Sequence, residues 1–169
     1  NYNTKNHSQP KMNFGYTLKD IDIHELSTNF ITVEKMAPIT KYARGRITSD
    51  FEMATDLTAG FEPILTSLSS IGNVNSNSLS LEGVKILDKL GSATKLKSLS
   101  AQTIKNFKTA FKIEDGKLHT SPFDLKLGKI DTEMSGFTSL DQKMDYDMKM
   151  NVPKEEILTS SPFSSSLKI

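Results

Sequence analysis

The sequence predicts an α+β fold, with a long, curved antiparallel β-sheet and about three short helices packed across one face. The main evidence is the stretch from Phe107 to Val152, where apolar and polar residues alternate as in strands with one dry and one wet side. From Met144 to Val152 every even position is apolar and every odd position is polar. A second alternating stretch, Gly45 to Leu57, is about twice the common strand length and indicates a large curved sheet or an extended groove.

The stretch from Phe107 to Val152 is interpreted as a meander of four strands, at residues 107–113, 118–127, 130–134 and 144–152. Asp115-Gly116 supplies the dipeptide that a tight hairpin turn needs. The apolar positions change parity between Leu118 and Phe123, which predicts a β-bulge near Pro122. Gly136 is expected to end the third strand.

The rest of the chain predicts strands at residues 12–17, 18–26, 45–57 and 74–81, and helices at residues 30–42, 63–71 and 83–99. Pro38 is expected to break the first of these helices into two short pieces, because proline suits a first helical turn better than a helix interior. Residues 98–105 are interpreted as a link to the meander. The domain is expected to span residues 12–158, with residues 1–11 as a disordered lead-in and residues 159–169 as a tail or linker.

Composition excludes several classes of function. The 169 residues fit one domain, and 21 basic against 20 acidic residues leave a net charge of +1 with no basic stripe, so no nucleic-acid partner is expected. The chain has no cysteine, which excludes disulfides and thiol chemistry. It contains neither an apolar run of about 18 residues nor a signal peptide. Because Asn1 is not a start methionine, we interpret the chain as an excised piece, from which a targeting or anchoring segment could have been lost upstream.

The sequence contains no convincing active site. The three histidines, His7, His24 and His119, lack metal-ligand spacing, and neither a phosphate-binding loop nor a nucleophile elbow is present. Asp145 and Asp147 share one strand face and resemble an acid–base pair, but a solvated strand face explains them better. We therefore expect no catalytic residues, no metal and no cofactor.

The apolar strand faces are the more informative feature. The candidate residues are Ile47, Phe51, Met53, Leu57, Phe107, Phe111, Ile113, Phe123, Leu125, Met134, Met144, Tyr146, Met148 and Met150. They form either a surface that faces lipid or a core that the helices cover. Several of them are methionines, whose flexible side chains suit contact with irregular apolar partners.

Short segments in a fixed order carry a family resemblance. They are Lys35-Met36-Ala37-Pro38-Ile39, the strand from Gly45 to Leu57, Phe61-Glu62-Pro63, Ser70-Ile71-Gly72-Asn73-Val74, Leu79-Ser80-Leu81-Glu82-Gly83, Phe111-Lys112-Ile113-Glu114-Asp115-Gly116-Lys117-Leu118, Thr120-Ser121-Pro122-Phe123, Ser135-Gly136-Phe137-Thr138-Ser139-Leu140-Asp141, and Asp145-Tyr146 ahead of Val152-Pro153. In this order and spacing, from Phe14 to Leu158, the chain resembles the C-terminal AsmA-like region of the AsmA family of Gram-negative envelope proteins.

The resemblance implies a non-enzymatic periplasmic module, anchored in the inner membrane by a segment absent from this sequence. It implies a long β-groove, related to bridge-like lipid transfer proteins, and a role in outer-membrane biogenesis and intermembrane phospholipid handling. The implied partners are phospholipid, the upstream region of the same chain and envelope proteins. The alternative is a structural cap or protein-interaction domain of the envelope assembly machinery, with its apolar face sealed as core.

Overall fold

The structure, a computed structural model, describes residues 2–3, 10–94 and 101–154, and it is dominated by one antiparallel sheet. Each strand pairs with the next along the chain. The strands are β1 (Tyr2–Asn3), β2 (Lys11–Asp22), β3 (Ala43–Asp56), β4 (Ser69–Glu82), β5 (Ala101–Glu114), β6 (Lys117–Leu127), β7 (Ile130–Ser139) and β8 (Met144–Asn151). The described residues also include three short helices, which confirms the predicted α+β class.

The helices lie in the connections between strands. α1 (Ile23–Asn29), α2 (Ile31–Met36) and a 3₁₀ helix (Pro38–Tyr42) join β2 to β3, and α3 (Lys85–Thr94) precedes β5. Asp22 caps α1, since its carboxylate accepts hydrogen bonds from the backbone N–H groups of His24 (2.8 Å) and Glu25 (3.1 Å). These two donors, Glu25 first, hold the pKa of Asp22 below its ordinary value. The predicted broken helix is confirmed, with Pro38 at the start of its last piece.

Two predicted elements are wrong in type. Residues 23–26, predicted as strand, form the first turn of α1, because the Asp22 cap starts a helix there. Residues 63–71, predicted as helix, contain only a 3₁₀ turn at Leu65–Ser67 and the start of β4. Ser70 in that segment pairs with Met53 on one side and Ile113 on the other, so strand pairing overrides the helical spacing.

Several strand boundaries also differ from prediction. β7 passes through Gly136 and ends at Ser139, so the glycine does not end the strand. β5 begins at Ala101, inside the predicted link of residues 98–105. The predicted helix at residues 83–99 contains α3, and its residues 95–99 lie outside the described part of the chain.

The predicted turn and bulge are both confirmed. Asp115 and Gly116 connect β5 to β6, and both have positive φ, 51° and 70°. The register of β6 against β7 shifts between Thr120 and Phe123, at the position that the parity change around Pro122 predicts. At the start of the chain, β1 pairs with the beginning of β2 inside the expected lead-in; residues 4–9 and the expected tail at 159–169 lie outside the described part.

The core lies on one face of the sheet, which we call the inner face. One buried cluster contains Ile23, Ala43, Ile47, Leu79, Ile104, Leu125, Leu127 and Ile130. A second contains Met36, Leu68 and Ile113, with Met53, Phe111, Leu118 and Leu140 packed against it. Ile23 belongs to α1 and Met36 to α2, so the segment between β2 and β3 packs onto this face.

Candidate functional site

A single row of paired residues crosses the inner face from β2 to β8. Tyr16 pairs with Phe51, Phe51 with Gly72, Gly72 with Phe111, Phe111 with Thr120, Thr120 with Gly136, and Gly136 with Tyr146. We call these seven residues the aromatic row. Directly paired residues in an antiparallel sheet share a face, so the four aromatic rings and the three small residues all lie on the inner side.

The glycines of the aromatic row make room for its rings. A Cβ built on Gly72 would lie 2.8 Å from Phe111 Cζ and 2.6 Å from Phe51 Cβ. A Cβ built on Gly136 would lie 2.8 Å from Tyr146 Cγ. These distances are far shorter than ordinary contacts between carbon atoms. Glycine at both positions therefore lets the neighbouring rings approach the sheet backbone closely.

All fourteen candidate residues lie along the inner face, but they differ in burial. Four are buried: Ile47, Leu57, Ile113 and Leu125. Nine are half-buried: Phe51, Met53, Phe107, Phe111, Phe123, Met134, Tyr146, Met148 and Met150. Met144 is 57% exposed. The face is thus neither uniformly open nor uniformly covered.

The covered parts of the face are those that the connecting segments reach. Ile23 and Leu26 of α1 pack into the first cluster, and Met36 of α2 packs with Leu68 and Ile113 in the second. Phe107 and Phe123 meet edge to face, with ring centroids 5.5 Å apart, next to the first cluster. Sequence reasoning missed Met36 and Leu68 as covering residues, because nothing in their local pattern says which strand they meet.

The open part of the face includes aromatic residues that the sequence analysis did not single out. Phe14 and Tyr16 stand on β2 with ring centroids 5.1 Å apart, and Tyr16 is 6.1 Å from the ring of Phe51. Tyr16 is 56% exposed. The alternation of Met12, Phe14 and Tyr16 was the available signal, since it places all three on one face.

Between the rings, the inner face carries hydroxyl groups that are satisfied within the sheet. Ser49 donates to the Asn73 carbonyl (2.7 Å), Ser70 to the Glu52 carbonyl (2.7 Å) and Ser76 to the Arg46 carbonyl (2.6 Å). Among the described residues, no buried side-chain nitrogen or oxygen lacks a hydrogen-bond partner. These three serines are buried and donate their protons to backbone carbonyls, so they expose little polar surface on this face.

The opposite, outer face of the sheet carries charged side chains, several of which form exposed ion pairs. Lys149 contacts Glu133 across β7 and β8 (2.7 Å), and Lys112 contacts Glu114 along β5 (2.6 Å). In the β7–β8 turn, Lys143 at 2.7 Å and the Ser139 hydroxyl lower the pKa of Asp141 to about 2. These ion pairs are all exposed at the surface, and they do not line an enclosed site.

The polar residues do not converge into a catalytic or metal-binding arrangement. Asp145 and Asp147 are exposed on β8, opposite Phe137 and Ser135. Within residues 2–3, 10–94 and 101–154, no three metal-ligating side chains cluster. A depression of about 390 Å³ lies beside Asp20, Arg46, Ile47 and Asn75, and no residue of the aromatic row lines it.

Two further observations bear on what the chain does. No helix in the described part of the chain has both the length and the apolar character needed to cross a bilayer. Comparisons with protein-family models, with curated proteins and with solved structures each find no match to this chain.

Proposed function

We propose that this domain is a non-enzymatic lipid-handling module in which the aromatic row and its open flanks accommodate an acyl chain. The observation that carries the proposal is the exposure of apolar side chains at both ends of the row. Tyr16 at one end is 56% exposed, and Met144, beside Tyr146 at the other end, is 57% exposed. An apolar strip that crosses seven strands while both flanks remain accessible is a surface on which a chain can lie without entering a closed cavity.

The energetics favour such an open strip for moving lipid rather than storing it. Each methylene group exposed to water costs about 0.8 kcal/mol. Two acyl chains with roughly thirty methylenes would then face a gross barrier of about 25 kcal/mol. An apolar sheet face lowers this barrier without tight binding, while the ion pairs of the outer face, such as Lys149–Glu133, keep the opposite side in water.

The resemblance to the AsmA family supplies the biological setting of this proposal. In that setting the domain handles phospholipid in the periplasm during outer-membrane biogenesis, and its sheet belongs to a longer curved β-groove. The inner-membrane anchor, the upstream region of the chain and the envelope partners are parts of the same proposal. They rest on the quoted segments, such as Phe111 to Leu118 and Thr120 to Phe123.

A lipid-extraction assay tests the proposal on the whole chain. Vesicles of phosphatidylethanolamine and phosphatidylglycerol would carry a self-quenched pyrene-labelled phospholipid, and extraction would raise the monomer fluorescence. We expect extraction by the wild type and a clear loss in Tyr16→Asp, which places a charge on the aromatic row. The matched control is Ile71→Asp, because Ile71 is equally exposed, 56%, and its pairing with Glu52 places it on the outer face.

The second candidate function is a structural cap or interaction domain of the envelope assembly machinery. The two buried clusters on the inner face favour it, since Ile113, Leu125 and Ile130 are packed as core. For this function the wild type would extract no lipid, and Tyr16→Asp and Ile71→Asp would behave alike. The extraction assay therefore separates the two candidates.

A further inference from the structure

Strand β8 forms one edge of the sheet in the described part of the chain, and this edge is regular. In the part of the chain that the structure describes, no strand pairs with the side of β8 that faces away from β7. Its pairing with β7 runs without a register shift from Met144 to Asn151. Such an edge exposes a row of backbone N–H and C=O groups that can pair with another strand.

The opposite edge of the sheet is less regular. The register of β2 shifts between Leu18 and Ile21, where Asp20 has a positive φ of 54°. β1 already occupies the beginning of that edge, at Lys11 and Met12. β8 contains no proline and no bulge, and its single lysine, Lys149, is already paired with Glu133. Of the two edges, β8 is the one that is unshifted and unoccupied over its whole length within the described residues.

The sequence of β8 is complementary to itself. When two copies of β8 pair, even residues must face even ones and odd residues odd ones, because a register of the other parity would place apolar side chains opposite polar ones. In a two-fold antiparallel register the central residue faces the same residue of the second strand. A centre at Asp145, Asp147 or Lys149 therefore places two like charges opposite each other. A centre at Tyr146 places Asp145 opposite Asp147. With Met148 at the centre, each Asp147 faces Lys149 of the second strand, and no like charges meet.

We propose that β8 pairs antiparallel with β8 of a second copy of this chain, about a two-fold axis at Met148. In this register Tyr146 faces Met150 and Met144 faces Val152, so the apolar residues stay on one side. Lys149 then lies between Glu133 of its own chain and Asp147 of the second copy. The small net charge of +1 gives little long-range repulsion between copies. The pairing does not depend on what the aromatic row binds.

A charge-exchange experiment tests the pairing. Sedimentation velocity of the wild-type chain should give twice the monomer mass of 18.8 kDa. Lys149→Glu and Asp147→Lys should each weaken the dimer by about tenfold or more, because each places like charges opposite each other twice. An equimolar mixture of the two variants should form a heterodimer, since the unchanged Asp147 of one variant then faces the unchanged Lys149 of the other, and the two substituted positions carry opposite charges.

The matched control is Lys126→Glu, which also removes an exposed ion pair, to Asp131, but lies on β6 away from the edge. This variant should remain dimeric. A monomeric wild type would overturn the proposal, and so would a dimer that neither variant at positions 147 and 149 weakens. A mixture that stays monomeric while each variant is folded by circular dichroism would also contradict it.

A cross-link reports the register directly, because the chain has no cysteine of its own. Met148→Cys places two thiols opposite each other at the axis, within the Cα separation that a disulfide accepts. Tyr146→Cys, the control, leaves the two thiols about four residues, or roughly 14 Å, apart. Under mild oxidation we expect a disulfide-linked dimer of Met148→Cys only. Equal cross-linking of both variants, or of neither, would overturn the proposed register.

Discussion

The ring of Phe111 lies over Gly72, so closely that a Cβ on the glycine would be 2.8 Å from Phe111 Cζ. The same Cβ would be 2.6 Å from the carbonyl oxygen of Asp50 and from Phe51 Cβ on the neighbouring strand. The absence of a side chain at Gly72 thus makes room for the side chains of Phe51 and Phe111.

Gly72→Ala should therefore destabilise the domain by about 1–3 kcal/mol, the usual cost of overpacking. Urea denaturation would measure the free energy of unfolding. Adding Phe111→Leu should not restore stability, because the contacts with Asp50 and Phe51 come from backbone and Cβ atoms. Gly15→Ala is the matched control: its Cβ would meet only ordinary contacts of 3.6 and 3.8 Å, and we expect a change within about 0.5 kcal/mol.

Two residues in one row of the inner face differ in burial, one in its covered part and one in its open part. Ile113 and Met144 belong to a row that also contains Leu118 and Thr138. Ile113 is buried against Met36, whereas Met144 is 57% exposed. Ile113→Ala should cost about 2–5 kcal/mol, because it leaves a cavity in the core. Met144→Ala should change stability by no more than about 0.5 kcal/mol in the same denaturation experiment, and equal costs would contradict this division of the face.

The buried side chain of Gln102 supports the turn between β6 and β7. Its Oε1 accepts a hydrogen bond from the backbone N–H of Gly128 at 2.8 Å. Gln102→Leu should cost about 1–3 kcal/mol, because the replaced side chain leaves that N–H without its acceptor. Hydrogen exchange at Gly128 should accelerate relative to the wild type. Unchanged protection of this amide would show that the turn does not depend on Gln102.

The carboxylate of Asp141 should titrate at unusually low pH. The Lys143 ammonium and the Ser139 hydroxyl lower its pKa from 3.8 to about 2. Because the pKa is depressed in the folded state, the associated stabilisation is present above the unfolded pKa and is lost as pH falls through the folded one. A carboxyl-carbon NMR titration of the wild type should show a midpoint near pH 2. Lys143→Met should move the midpoint upward, and an unchanged midpoint would exclude Lys143 as the cause.

Much of the meander could be predicted from alternation alone. The parity change around Pro122 located the bulge, and Asp115-Gly116 located the turn, because both depend on residues close together in sequence. The apolar face of β8 was visible for the same reason. These features need no knowledge of distant contacts.

Other features were not predictable because tertiary contacts decide them. The helical spacing of residues 63–71 gave way to strand pairing of Ser70 with Met53 and Ile113. Gly136 continues β7 instead of ending it, since its missing side chain admits the close approach of Tyr146 on β8. Which parts of the face are covered depends on Met36, more than seventy positions away in sequence from Ile113. Local patterns carry no information about such a contact.

Native mass spectrometry of the intact chain purified from a Gram-negative host, combined with solvent extraction of its lipids, tests the central claim most directly. We predict a bound phospholipid on the wild type and on Ile71→Asp, and its loss from Tyr16→Asp at an unchanged melting temperature. A wild-type mass without lipid, or retention of lipid by Tyr16→Asp, would contradict the proposal that the open aromatic row handles acyl chains.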